Sequence, residues 1–183
     1  MYTARMPLCW DGFATWRRIS HFVVGRADEL PVSDEAAELM TAAGSLNYVD
    51  LEKCFAEASR VLSAERKLVV YDFSPEASEW FESFMTRYPA PPFSGRPLTP
   101  ELLVPLAEGF RPIGAEWYEE SLTLDHSFYV DYAMTETNVA AAVRAGVDEE
   151  SIREWCRATL APVFGGVARV VVFTGYIAYF SKL

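Results

Sequence analysis

Apolar residues in the first half of the chain form short runs that are separated by polar turns. The runs at 21–27 (HFVVGRA) and 38–43 (ELMTAA) are short and lack helical spacing, which predicts two strands. From Asp50 the apolar positions 51, 54, 55, 58, 61 and 62 fall on one face of a helix, and Asp50 is a suitable N-cap. The almost continuous apolar run at 67–73 then predicts a strand that is buried on both faces.

The second half of the chain is predicted to be mainly helical before it closes in a strand. Helices are expected at 75–88, 102–107, 126–132, 138–144 and 148–162, a proline-rich loop at 89–100, and strands at 117–124 and 170–180. The order of strands and helices predicts an α/β fold. The short apolar strands favour a mostly parallel sheet with helices on both faces.

Composition limits the class of protein without identifying a function. The 183 residues, of which 51% are hydrophobic, are enough for a single domain with a hydrophobic core. With 26 acidic and 16 basic side chains the formal net charge is −10, which weighs against nucleic acid as a partner. Three widely spaced cysteines and two histidines predict neither a disulfide framework nor a zinc site. Without a long apolar run or a signal-peptide pattern, we expect a cytoplasmic protein with no membrane partner.

Four segments together resemble the later half of a class I S-adenosylmethionine-dependent methyltransferase. They are FVVGRADELP at 22–31, LMTAA at 39–43, ASRVL at 58–62 and LVV at 68–70. The resemblance is to the small-molecule branch that includes the ubiquinone/menaquinone and trans-aconitate methyltransferases. It implies a partial Rossmann-like sheet, with the Gly-x-Ala-x-x-Leu-Pro turn beside the adenine and a helix that ends in Arg-Val-Leu.

The sequence departs from that family in the region that binds the cofactor. The family has a glycine-rich loop after its first strand, because close backbone approach to the ligand requires residues without a Cβ. No Gly-x-Gly pattern occurs in this chain, and residues 1–20 match no element of the family. The resemblance therefore implies a truncated fold with an incomplete site for S-adenosylmethionine.

The resemblance also implies which residues would contact the cofactor. Ala27, through its backbone N–H, and Asp28, through its side chain, would border the adenine, although a polar turn alone explains both residues. Ala43, Gly44 and Ser45 follow the fourth strand of the family, at the carboxyl edge where ligands of α/β sheets bind. Gly44 would permit close approach of a ligand, or it simply ends the strand.

The acceptor side of the site has three polar candidates. Asn47 and Tyr48 stand where many relatives have His followed by an aromatic residue, and His126 has a pKa range that suits a general base. A histidine between apolar neighbours is more often structural. Asp72 is better explained as the end of a strand. No metal ligand set is expected.

These observations predict methyl transfer from S-adenosylmethionine to a small-molecule oxygen, nitrogen or carbon acceptor. The alternative is a non-catalytic binding or regulatory subunit, which would complete its open sheet edge against a second copy or a partner methyltransferase. A start codon chosen too late, or a decayed gene, is a third explanation.

The proposed single domain divides into four parts: an atypical segment at 1–20, a methyltransferase core at 21–73, a helical insertion at 74–110, and an acceptor-side region with the closing strand at 111–183. If the resemblance is correct, segments 21–26, 38–43 and 67–73 should be strands of one sheet that are parallel where they pair. An antiparallel meander through them would contradict it.

Overall fold

A computed structural model describes residues 23–76, 78–89 and 98–183 of the chain. In these residues four strands form one sheet: β1 (Ala37–Ala43), β2 (Leu62–Pro75), β3 (Phe110–Leu124) and β4 (Arg169–Lys182). The helices are α1 (Leu51–Val61), α2 (Glu79–Arg87), α3 (Pro100–Leu103), α4 (His126–Ala133), α5 (Thr137–Arg144) and α6 (Glu149–Phe164). Short 3-10 turns lie at Leu46–Tyr48 and Val104–Leu106. The predicted α/β fold is confirmed.

The predicted mostly parallel sheet is wrong for the described residues. The strand order is β1-β2-β4-β3, and only β1 and β2 are parallel. Leu124, the last residue of β3, pairs with Arg169, the first residue of β4. The three helices between these strands therefore begin and end at the same end of the sheet, and such a connection joins antiparallel neighbours.

The parallel pairing of segments 38–43 and 67–73 is confirmed. Leu39 pairs with Lys67, and the register continues without a break to Ala43 and Tyr71. Helix α1 connects the two strands, as parallel strands require a crossover. Its N-cap is Asp50, as predicted, because the Asp50 carboxylate accepts a hydrogen bond from the backbone N–H of Lys53 at 3.3 Å.

The predicted strand at 21–27 is wrong for its described part, while residues 21 and 22 lie outside the described residues. Val23 and Val24 are 67% and 60% exposed, and an isolated bridge between Arg26 and Glu29 is the only strand-like pairing in residues 23–36. The chain turns back at this bridge, with the Glu29 N–H donating to the Arg26 carbonyl at 3.2 Å. Among the described residues no strand pairs with this apolar run, and a run without a pairing partner does not form a ladder.

Arg60 ties this turn to helix α1. Its guanidinium donates to both carboxylate oxygens of Glu57, at 2.8 and 2.6 Å, to Asp34 at 2.5 Å and to the Leu30 carbonyl at 3.2 Å. The Leu30 N–H in turn donates to Glu57 at 2.7 Å. These bonds join two of the segments on which the family resemblance rests. The guanidinium of Arg60 lowers the pKa of Glu57 to about 2.

Two hydrophobic clusters lie against the sheet. The first contains residues of β1, β2, β4, α1 and α3, with Phe55, Leu62, Leu103 and Phe180 almost fully buried. The second is formed mainly by α2, α4, α5 and α6, and it reaches the sheet through Phe173. Because side chains alternate along a strand, Phe173 and Phe180 point to opposite faces of β4. Helices therefore pack on both sides of the sheet, as predicted.

Several elements differ in their bounds from the predictions, and strands β2 and β3 differ most. Strand β2 continues to Pro75, because residues 72–75 still pair with β4, and α2 therefore begins at Glu79 rather than at residue 75. Strand β3 begins at Phe110, seven residues before the predicted strand, since it pairs with β4 along its whole length. The backbone ladder with β4 sets both boundaries.

Gly175 of β4 permits close packing between β2 and β3. A Cβ atom at this position would lie 2.6 Å from the hydroxyl oxygen of Tyr118 and would also collide with the backbone carbonyl of Asp72. The ring of Tyr118 therefore lies directly over the glycine. Because position 175 has no side chain, the Tyr118 hydroxyl reaches across β4 to within 3.5 Å of the Asp72 carbonyl oxygen.

We expect Gly175→Ala to destabilise the protein by about 1–3 kcal/mol, because the added methyl must displace the Tyr118 ring or the strand backbone. Chemical denaturation monitored by circular dichroism measures this change. Gly114→Ala is the matched control: a Cβ there meets no atom within 4 Å, and a change within about 0.5 kcal/mol is expected. Equal stability of the two variants would contradict the assigned packing.

The lowered pKa of Glu57 predicts a stability contribution that depends on pH. The folded-state pKa of about 2 lies below the ordinary value of 4.5, so the contribution is complete above pH 4.5 and is lost as the pH falls towards 2. We expect Glu57→Gln to lower the melting temperature near neutral pH and to lower it progressively less in acid. Glu154→Gln, an exposed position in the middle of α6, should leave the profile unchanged.

Candidate functional site

The candidate site lies where the parallel strands β1 and β2 end side by side. Gly44, the residue after β1, donates its backbone N–H to the carbonyl of Tyr71 in β2 at 2.9 Å. Its φ of +52° is in the left-handed region, which favours glycine. The carboxyl edge of parallel strands is where ligands of α/β proteins bind, and Ala43, Gly44 and Ser45 are all exposed there.

Asp72 occupies the centre of this edge. One of its carboxylate oxygens accepts a hydrogen bond from Nδ2 of Asn47 at 3.1 Å, and the other accepts the N–H of Phe73 at 2.9 Å. A Cβ at Gly44 would lie 3.3 Å from the same carboxylate. Oδ1 of Asn47 is buried and has no hydrogen-bond partner among the residues that the structure describes. Asp72 therefore lies beside the ends of β1 and β2, and it accepts a hydrogen bond from Asn47, whose amide oxygen accepts none among the described residues.

Helices α4 and α5 form a second wall of the site. The Tyr48 hydroxyl lies 2.8 Å from the hydroxyl of Thr137, the first residue of α5. Next to it the half-buried carboxylate of Glu136 accepts a hydrogen bond from Tyr132. Burial raises the pKa of Glu136, the charge of Asp72 raises it further, and the Tyr132 hydrogen bond opposes them. Burial and the carboxylate of Glu136 raise the pKa of Tyr132 as well.

Strands β3 and β4 add aromatic rings beside Asp72. Asp72 pairs with Tyr176, and Tyr176 pairs with Trp117, so the three side chains form a row on one face of the sheet. The Tyr176 and Trp117 rings are 5.6 Å apart between centroids. Burial, followed by the charge of Asp72, raises the pKa of Tyr176 to about 12. Trp117 is 61% exposed at the open end of the row.

The structure brings the predicted residues Asn47, Tyr48, Ala43, Gly44 and Ser45 to this one edge. Asp72 and Glu136 are both partly buried. The arrangement can position a small polar molecule, and it can accept a proton at Glu136. These are the chemical capabilities that the geometry supplies.

The other predicted residues have different surroundings. Asp28 lies in the turn before β1, where both of its carboxylate oxygens accept hydrogen bonds from Arg26, at 2.8 and 2.7 Å. Ala27 packs against the first hydrophobic cluster. Nε2 of His126 lies 3.0 Å from the carbonyl of Arg157 in α6, and its ring contacts Phe164. His126 is therefore engaged in the packing of α4 on α6 and not with Asn47.

Sequence reasoning missed the central residue of the site. Asp72 directly follows an apolar run, and its position at the end of a parallel strand is a signal that could have identified it. Glu136, Tyr132, Tyr176 and Trp117 are separated from it by at least 45 residues of sequence, and no motif marks them. Their association depends on strand pairing and on how α4 and α5 pack.

The described part of the chain offers neither a membrane-crossing helix nor a cluster of metal ligands. None of its helices is both long and apolar enough to cross a membrane. No group of three or more His, Cys, Asp or Glu side chains is arranged there to hold a metal ion.

Comparison with known proteins finds similarity to methyltransferases. Residues 8–83 match a family model described as a methyltransferase domain. The ubiquinone/menaquinone biosynthesis C-methyltransferase UbiE of Rickettsia felis is 37% identical over 68 residues, which are 37% of this chain and 27% of that protein. The chain thus spans about a quarter of this curated relative. The family match begins at residue 8, so the expectation that segment 1–20 contains no family element is wrong for residues 8–20.

Solved structures support the fold. A candidate type II methyltransferase from Anaeromyxobacter dehalogenans superposes with a TM-score of 0.55 at 16% identity, over 88% of this chain and 71% of that one. A candidate methyltransferase from Bacillus halodurans C-125 gives a TM-score of 0.50 at 14% identity, over 86% of this chain and 69% of the other. At these identities the matches concern the fold alone. They agree with the predicted α/β fold class.

The raised pKa of Glu136 predicts that Glu136→Gln stabilises the protein near neutral pH. The pKa of Glu136 in the folded state lies above the ordinary value of 4.5. The wild-type protein therefore loses stability as the pH rises from 4.5 through the folded-state pKa. Glutamine removes the charge and can still accept the Tyr132 hydrogen bond. We expect the gain in melting temperature over wild type to be larger at neutral pH than below pH 4.5. An unchanged difference across that range would contradict the assigned environment, and Glu154→Gln is the control.

Proposed function

We propose that this chain is a class I S-adenosylmethionine-dependent methyltransferase, which binds that cofactor and directs its methyl group to a small-molecule acceptor. The observation that carries the proposal is the convergence of Gly44, Asn47 and Asp72 at the carboxyl edge of the parallel pair. The family match and the R. felis relative support the same activity.

The described residues fit one side of a cofactor site. Gly44 has a left-handed backbone and no side chain, which leaves space for a ligand beside Asp72. Ala43 and Ser45 flank it and are exposed. Asp28 would have to exchange its Arg26 hydrogen bonds for contacts with an adenine. When bound, the cofactor would supply an electrophilic methyl group on a sulfonium.

The acceptor would lie between Asp72 and the wall formed by α4 and α5. Asn47 orients the Asp72 carboxylate, and Tyr48 with Thr137 closes the site towards α5. Much of the rate enhancement in such a transfer comes from proximity and from exclusion of water. Glu136 is the group suited to accept a proton from the acceptor, because its raised pKa lies closer to neutral pH than that of an ordinary carboxylate. His126 contacts α6, and we assign it no role in the methyl transfer.

A second candidate function is that of a binding or regulatory subunit in the cytoplasm that completes its sheet with another chain. Within the described residues, β1 pairs on one side only, with β2. Leu39 on β1 is 58% exposed and Phe73 on β2 is 50% exposed. An edge strand with apolar neighbours is a site for strand addition. The absence of a Gly-x-Gly pattern also favours this function.

Isothermal titration with S-adenosylmethionine and S-adenosylhomocysteine tests the primary proposal. We expect saturable binding by the wild-type chain and weaker binding of both by Gly44→Ala, whose Cβ would strain the backbone and press on Asp72. Gly146→Ala is the matched control, since Gly146 has a φ of +95° but no atom within 4 Å of its Cβ position. It should lose stability without losing affinity.

Two outcomes would contradict the primary proposal. A folded wild-type chain that binds neither ligand does not have a working cofactor site, and equal loss of affinity in both glycine variants would place the site elsewhere. Light scattering after size-exclusion chromatography, with and without a candidate methyltransferase, then tests the subunit function.

A further inference from the structure

We propose that a cavity beside helix α6 binds a small uncharged apolar molecule that carries one hydrogen-bonding oxygen, such as a phenol. The cavity has a volume of about 270 Å³ and lies between the start of α2, helices α4 and α6, and the first residues of β4. Typical small-molecule sites start at about 300 Å³, so the ligand must be small. The inference goes beyond the proposed function, because the cavity belongs to the second hydrophobic cluster, whereas Tyr176, which pairs with Asp72, belongs to the first.

The walls of the cavity are mainly apolar. The aromatic side chains of Trp80, Tyr129 and Phe164 line it, together with leucine and valine side chains of α6 and β4. The ring of Tyr129 lies 5.7 Å from the rings of both Trp80 and Phe164, measured between centroids. Val163 and Val170, which are 42% and 65% exposed, stand where the cavity opens to solvent. A small apolar molecule can therefore enter the cavity and contact aromatic rings inside it.

The hydroxyl of Tyr129 is a polar group in this wall that has no partner. Tyr129 is only 5% exposed, yet its hydroxyl forms no hydrogen bond with any residue that the structure describes, whereas the indole N–H of Trp80 donates to Thr159 at 2.8 Å. Among the described residues, the unpartnered side-chain atoms that are closed off from open space belong to Asn47 and Asn138. The Tyr129 hydroxyl therefore faces open space, which the cavity provides. A ligand oxygen there would supply the missing hydrogen bond, which buried hydroxyls normally have.

The charges at the cavity favour an uncharged ligand. Glu76 and Arg169 line it with one charge of each sign, and neither forms an ion pair with a described residue. Arg169 donates from Nε to the Phe164 carbonyl at 3.3 Å, at the end of α6 where carbonyls lack helical partners. The two charges cancel, and a charged ligand would lose its hydration among mainly apolar side chains. Because a guanidinium also binds carboxylates, the test includes a carboxylate.

Titration calorimetry with the full chain near neutral pH tests this inference with three probes that share an ethylphenyl body. They are 4-ethylphenol, ethylbenzene, which lacks the oxygen, and 4-ethylbenzoate, which is charged. We expect 4-ethylphenol to bind saturably and about fivefold more tightly than ethylbenzene, because its hydroxyl pairs with that of Tyr129. We expect no binding of 4-ethylbenzoate, since its carboxylate would have to leave water.

Two substitutions assign the binding to this cavity. Tyr129→Phe removes only the hydroxyl, so it should lower the affinity for 4-ethylphenol to that for ethylbenzene and leave the affinity for ethylbenzene unchanged. Val163→Trp should abolish binding of both probes, because the larger side chain occupies the cavity from its partly exposed rim. Val143→Trp is the matched control: it places the same side chain at a position of α5 that is 36% exposed and does not line the cavity, and both affinities should stay unchanged. If Val163→Trp fails to fold, Tyr129→Phe decides the question.

The inference is overturned if 4-ethylphenol binds no better than ethylbenzene, if 4-ethylbenzoate binds at least as tightly, or if no probe binds saturably. Wild-type affinity in Val163→Trp would also overturn it, because the probes would then bind elsewhere. A preference for 4-ethylphenol that persists in Tyr129→Phe would show that another group pairs with the ligand oxygen, against the assignment made here. The outcome is separate from that of the cofactor titration, which reports on the carboxyl edge of β1 and β2.

Discussion

The backbone hydrogen bonds along both edges of β2 hold the rest of the structure in position. On one side they fix β1 in parallel register, and on the other they fix β4 in antiparallel register. Leu68 and Val70 of β2 enter the first hydrophobic cluster, whereas Asp72, two residues further on the same face, enters the site. One strand thus carries both the core and the central carboxylate, and the position of Asp72 follows from the packing of β2.

Two glutamates show how their surroundings separate a structural role from a functional one. Glu57 accepts hydrogen bonds from Arg60 and from the Leu30 N–H, and its pKa is lowered to about 2. Glu136 is half-buried near Asp72, receives a hydrogen bond from Tyr132, and has a raised pKa. Glu57 stabilises the fold, since it joins the turn that contains Leu30 to helix α1. Glu136 lowers the free energy of unfolding near neutral pH, and such destabilisation is typical of groups that are retained for binding or proton transfer.

Much of the candidate site could be predicted, but its centre could not. Gly44 and Asn47 were predicted because the family resemblance fixed which strand they follow, and the position of a residue after a strand is local information. Asp72 carries the same local signal, but it was interpreted as a strand end, since a single carboxylate there has no motif around it. Asp28 was placed beside an adenine by resemblance, whereas the structure pairs it with Arg26, two residues away, an ion pair that neither motif nor spacing indicates.

The sequence by itself determined where the helices and the long strands lie and that the fold is of the α/β class. These features depend on the periodicity of apolar residues and on caps such as Asp50. It also determined the parallel pairing of β1 and β2, through the helix between them. Only the tertiary structure decided that β4 lies between β2 and β3, that residues 23–27 form no strand of the described sheet, and that Glu136 and Tyr176 join Asp72. The physical reason is that strand order and side-chain clusters depend on contacts between residues far apart in the chain, which local patterns do not encode.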